Sequence, residues 1–183
     1  MKIARMLAPA VLAAATLVIG SAQAAYAAPP TPTPNPFPNG VFLPVGEGCP
    51  GFNLSISWAG GNLHTKEFTD DDGDVVRIIT AGKGFDITYT NFGTDPDAPV
   101  KGESVTVRTP GSVNKTVNNP DGTQTVTATG HNGLVLFPTD FPAGPTTTHY
   151  SGRIVYNVDP KTGVFTLLST TGQERDICAE LTS

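Results

Sequence analysis

From residue 52 onward, apolar and polar residues alternate in short runs. Phe52, Leu54, Ile56 and Trp58 are separated by Asn53, Ser55 and Ser57, the period of a strand with one buried face. Leu63 to Phe68 repeats the pattern more weakly, and Val75 to Thr80 follows. Phe85, Ile87 and Tyr89 alternate with Asp86, Thr88 and Thr90, and Val105 and Val107 mark a further strand. Val113 to Val117 comes next. Thr123, Thr125, Thr127 and Thr129 then alternate with Gln124, Val126 and Ala128. Leu134 to Phe137, His149 to Val158, Val164 to Ser169 and Asp176 to Leu181 complete the set. Threonine, valine and isoleucine suit these runs because a branched β-carbon fits a pleated surface. After the N-terminal segment, no stretch of ten residues carries a helical apolar period.

Turn signals separate the runs. Asn119-Pro120-Asp121-Gly122 and Asp159-Pro160-Lys161-Thr162-Gly163 combine a proline start with a glycine end. Asp70 to Asp74 reads as a turn, as do Ala59-Gly60-Gly61 and Ala81-Gly82-Lys83-Gly84. Asn132-Gly133 reads as a tight hairpin turn, since both residues tolerate positive φ. Asn91 to Gly102 is the longest irregular connection, and Pro138 to Pro145 is a proline-bounded loop. The pattern predicts an all-β, antiparallel, up-and-down meander of about nine to eleven strands, closed as a barrel or split into a two-sheet β-sandwich.

The N-terminus changes the picture. Lys2 and Arg5 precede an apolar run from Met6 to Gly20, and Ala25-Tyr26-Ala27 offers small residues for cleavage. Residues 1–27 therefore read as a signal peptide, too short in its apolar run for the roughly 20 residues of a membrane span. Residues 28–48 begin Ala-Pro-Pro-Thr-Pro-Thr-Pro and read as a proline-rich extended leader. The domain proper is expected at residues 49–183. Loss of Lys2 and Arg5 moves the net charge from −5 to −7. An acidic chain without a basic cluster excludes nucleic acid and anionic membranes as partners. The expected partner is an extracellular ligand or protein, and the expected location is secreted.

Cys49 and Cys178 are the only cysteines. In an exported chain they predict one disulfide tying the two ends of the domain together. In the chain-entropy model such a loop contributes on the order of 4–5 kcal/mol. Alternation along Asp176 to Leu181 places Cys178 on the outward face of a last strand, with Ile177, Ala179 and Leu181 inward.

Cys-Pro-Gly-Phe at 49–52, the Thr- and Val-rich strands, Asn91-Phe92-Gly93-Thr94, the Pro-Asp-Gly turn and Ile177-Cys178 together resemble small exported all-β proteins of actinobacteria, the high-GC Gram-positive bacteria. The resemblance implies export and an all-β fold. It brings no activity, cofactor or site residues with it.

Candidate chemistry is sparse. Asp70, Asp72 and Asp74 supply hard oxygen ligands close together, a Ca²⁺ candidate. Gly73 precedes Asp74, and Ala81 stands where a helix–loop–helix site needs glutamate, so an exposed hairpin turn is the plainer reading. His64, His131 and His149 lack ligand spacing, and no nucleophile elbow, zinc-protease pair or phosphate loop occurs. Asp86 and Glu103 stand as a hypothetical glycosidase-type pair, since such acids can be far apart in sequence. The threonine row 123–129 could meet a regular polar surface such as a glycan or ice, against the ordinary reading of strand propensity on a solvent face. Trp58, Phe85 and Tyr89 read as core, unless a closed barrel turns those faces into the lining of a cavity. No catalytic residue and no cofactor is predicted. The reading is a secreted, non-catalytic binding or interaction module, with a carrier of a small apolar ligand and a carboxylate hydrolase as the alternatives.

Overall fold

The computed structural model describes residues 40–182. The expected signal peptide and most of the expected proline-rich leader lie outside the described residues. Eight strands form one antiparallel sheet: β1 (Gly40–Leu43), β2 (Leu54–Thr69), β3 (Val75–Asn91), β4 (Ser104–Arg108), β5 (Gly111–Asn118), β6 (Gln124–Leu136), β7 (Thr146–Val158) and β8 (Phe165–Asp176). A four-residue helix, α1 (Ile177–Glu180), follows. The order in the sheet is β1-β2-β3-β5-β6-β7-β8, with β4 beside the second half of β3. The antiparallel all-β meander expected from the alternation is therefore present. Its folded part starts earlier than Cys49: β1 pairs with β2 through Gly40↔Ser57 to Leu43↔Leu54, and Leu43 is buried.

The strand number is smaller than expected because three anticipated turns are not turns. Ala59-Gly60-Gly61, Ala81-Gly82-Lys83-Gly84 and Asn132-Gly133 all lie inside continuous strands, β2, β3 and β6. One of their glycines, Gly82, belongs to a row that crosses the sheet. Gly82 stands opposite Ser112, Ser112 opposite Gly130, Gly130 opposite Gly152, and Gly152 opposite Gly172. At the glycines of this row the backbones approach too closely for side chains. A Cβ on Gly130 (φ +94°) would lie 2.5 Å from the Gly111 carbonyl oxygen. The row is a bend in the sheet. Where the chain does reverse, between β5 and β6, Asn119 N–H donates to the Thr123 carbonyl and Asp121 Oδ1 accepts from Thr123 N–H at 2.9 Å.

The bend lets the sheet curl. Tyr89 on β3 and His149 on β7 are three strands apart in the order, about 14 Å on a flat sheet, yet the Tyr89 hydroxyl lies 3.4 Å from His149 Nδ1. The hydrogen-bonded ring is not closed, because β1 and β8 remain the two ends of the order. Sulfur and side chains close it instead. Cys49 and Cys178 form the disulfide with Cα atoms 5.5 Å apart, the Thr147 hydroxyl donates to the Gly48 carbonyl at 2.8 Å, and the Asn91 amide donates to the Leu181 carbonyl at 3.1 Å. Cys178 does not face outward from a last strand. It lies buried in α1, which Asp176 caps by accepting from Ala179 N–H.

Two apolar clusters result. Leu43, Phe52, Leu54, Tyr89, Ile177 and Leu181 surround the disulfide, while Val126, Leu134, Leu136, Ile154, Tyr156 and Phe165 form the second. The end of β6 serves both: Leu134 and Leu136 enter one cluster, Val135 and Phe137 pack on the other. A strand buried on both faces explains the unbroken apolar run Leu134-Val135-Leu136-Phe137.

Gly130→Ala is expected to lower unfolding free energy by on the order of 1–3 kcal/mol, the range for a side chain forced into a strained backbone position. Gly51→Ala, with no atom within 4 Å of the added Cβ, should be near neutral. Urea denaturation of the two variants checks the contrast.

Candidate functional site

The β5–β6 ladder stops at Ser112↔Gly130, while β6 runs on to Leu136 with β7 alone. β4, which continues the line of β5 along β3, pairs only with β3. The sheet therefore parts between β4 and the second half of β6. An apolar cleft of about 640 Å³ lies between the walls, within the range of about 300–1,000 Å³ typical of ligand pockets.

One wall follows from cross-strand register. Leu43↔Leu54, Val41↔Ile56, Ile56↔Tyr89 and Trp58↔Ile87 are opposed pairs, so their side chains share one face. Val41, Leu43, Ile56, Trp58, Ile87 and Tyr89 of that face line the cleft, with Leu63 and Phe85 beside them. The other wall is Gly133, Leu134, Val135, Phe137 and Thr147, with Tyr156 and Phe165, whose rings stack at 5.4 Å between centroids. At the rim, Trp58 is 44% and Leu63 39% exposed. Trp58 was expected in a packed core; the cleft leaves it half in solvent.

Asp140 positions two lining residues. Its buried carboxylate accepts from Phe137 N–H through Oδ2 at 2.6 Å and from Phe165 N–H through Oδ1 at 2.8 Å. The loop between β6 and β7 is thereby fixed against the start of β8. No motif marks Asp140; its place inside the proline-bounded loop 138–145 is the one signal it carries in the sequence.

Beside Tyr89 lies a polar group assembled from five elements. His149 is buried and faces Tyr89, with the His131 ring 5.8 Å away between centroids. His131 Nδ1 is 3.1 Å from the Ser151 hydroxyl. Arg175, opposite His149 in register, binds Glu180 of α1 through Nε at 2.9 Å and Nη2 at 2.6 Å. His149 Nε2 has no hydrogen-bond partner among the described residues. Burial, then the neighbouring His131 and Arg175, push the His149 pKa down to about 4, against a smaller opposing effect of Glu180. Burial pushes the Tyr89 hydroxyl up to about 12. At neutral pH both groups are uncharged. The sequence offered no spacing for this group because its members come from β3, β6, β7, β8 and α1.

The other candidates do not converge. Asp86 stands opposite Arg108, while the Glu103 carbonyl accepts from Asn91 N–H. Five residues of β3 separate the two positions, about 17 Å along a strand, beyond the roughly 5–9.5 Å of glycosidase pairs. Asp70, Asp72 and Asp74 occupy the exposed β2–β3 turn, where Asp70 Oδ1 accepts from the N–H groups of Asp72 and Asp74. Among the described residues, no three His, Cys, Asp or Glu side chains are grouped to hold a metal ion. His64 is exposed on β2. The threonine row is engaged locally: Thr123 with Asp121, Thr125 with Asn157, and Thr129 with the Val113 carbonyl. No helix among the described residues is long and apolar enough to cross a membrane.

Because the folded pKa of His149 lies below its ordinary 6.5, the stability tied to its neutral form is complete above that value. It is lost as pH falls from about 6.5 toward 4. Thermal melts across this window should show the decline, and His149→Phe should flatten it.

No protein-family model, curated protein or solved structure matches this chain.

Proposed function

We propose that this is an exported, non-catalytic binding protein that holds a small apolar ligand in the cleft between the β1–β3 wall and the β6–β7 wall. The observation that carries this reading is the cleft itself: about 640 Å³, lined almost wholly by aliphatic and aromatic side chains. Left to water, such a surface costs roughly 25 cal/mol per Å², so an apolar occupant is favoured. The sheet supplies the opening without a closed barrel, by parting where β4 and β6 fail to pair.

Export rests on the Met1–Ala27 segment and on the disulfide, which suits an oxidising compartment. A ligand carrier fits that setting better than a hydrolase here, since the two acids named above stand far apart.

Trp58 is the only tryptophan and stands at the rim. Titration with the neutral apolar dye Nile red should quench or blue-shift its emission and saturate. Leu63→Lys, a charge placed at the exposed rim, should weaken dye binding by about tenfold, roughly 1.4 kcal/mol, without lowering the melting temperature. Non-saturating dye response, or equal affinity in the variant, overturns the reading.

A further inference from the structure

We propose that the ligand of this cleft is a neutral amphiphile, a hydrocarbon body carrying one hydroxyl or carbonyl group, and that this group is held at the Tyr89 hydroxyl. The inference rests on the cleft being a ligand site and adds the chemical class of what it takes.

Charge decides the first part. The lining contains no lysine, arginine, histidine, aspartate or glutamate. A carboxylate or ammonium drawn into such walls would lose its hydration with no opposite charge in return, which is costly. The cation nearest the floor, Arg175, is held bidentately by Glu180. A neutral ligand meets neither penalty.

The second part follows from where polar atoms reach the lining. The one donor of the Thr147 hydroxyl is used on the Gly48 carbonyl at 2.8 Å, and Thr147 is fully buried. The Tyr89 hydroxyl is held less firmly, 3.4 Å from His149 Nδ1. A phenol offers one donor and acceptor lone pairs, so that single long contact leaves capacity in hand. The hydroxyl also lies against Gly133 on the opposite wall, where an added Cβ would stand 2.5 Å from the Tyr89 oxygen. Glycine at 133 therefore makes room for a polar tip between two apolar walls. Behind it and outside the lining, His149 is 1% exposed and its Nε2 has no hydrogen-bond partner among the described residues. Tyr89 remains protonated at neutral pH, so its O–H can donate to a carbonyl or hydroxyl oxygen while its own oxygen can accept from a hydroxyl.

The test uses the mature protein and Trp58 emission, with 1-decanol, 1-chlorodecane and decanoate at pH 8 as probes. Decanol is expected to bind about tenfold tighter than either of the others, the worth of one well-placed hydrogen bond or of avoided charge burial. Tyr89→Phe should erase the advantage of decanol over chlorodecane while leaving chlorodecane affinity unchanged. Gly133→Ala, which displaces the hydroxyl without deleting it, should reduce the same advantage, so the prediction survives if Tyr89→Phe folds poorly. Equal binding of decanol and chlorodecane, tighter binding of decanoate, or a decanol preference that persists in both variants overturns the proposal while leaving an apolar site standing. If Trp58 emission shifts with protein concentration alone, the cleft is filled by a second copy and the proposal falls. If none of the probes nor Nile red binds, the ligand site itself falls.

Discussion

Close backbone approach along one line of the sheet is the constraint on which the other features rest. Gly130, Gly152 and Gly172 stand opposite one another, and a side chain on Gly130 would run into the carbonyl of Gly111. Because these positions carry no Cβ, strands of 12 to 17 residues can bend instead of running flat. Bending brings the inner face of β3 onto residues of β6 and β7, which are not its neighbours in the order. The cluster around Tyr89, the His149 group and the cleft all follow from that approach.

A curled sheet still has two ends, and here they are joined without a hydrogen-bonded ladder. The disulfide and the Thr147–Gly48 bond tie the segment after β1 to α1 and β7, and the Asn91–Leu181 bond ties the end of β3 to the C-terminal residues. The bond between sulfurs that are 129 residues apart in sequence limits the unfolded chain more than it adds contacts to the folded one. The sheet is consequently free to stay open between β4 and β6, where a closed barrel would have paired them. The cleft is the space that this incomplete pairing leaves.

The cleft combines an apolar lining with a neutral pair in which Tyr89 lines it and His149 lies behind Tyr89. Tyr89 and His149 are both held uncharged by burial. Charged partners of the network, Arg175 and Glu180, neutralise each other outside the lining.

Local residue chemistry fixed what depends on neighbours in the chain. Alternation marked the strands, and Pro120-Asp121-Gly122 and the Asp159–Gly163 loop marked true reversals, because their hydrogen bonds are made within a few residues. Cys49 and Cys178 announced their bond by being the only pair. Asp176 held a legible helix cap that strand periodicity obscured, and the run Leu134 to Phe137 signalled burial on both faces. Asn132-Gly133 and Gly82 could not be distinguished from turns, since a glycine that reverses a chain and a glycine that bends a strand read alike. Only cross-strand register separates the two, and register is set by packing between segments far apart in sequence. The same holds for the site: the Tyr89–His149 pair, the glycine that admits it and the gap between β4 and β6 exist only once the sheet has curled.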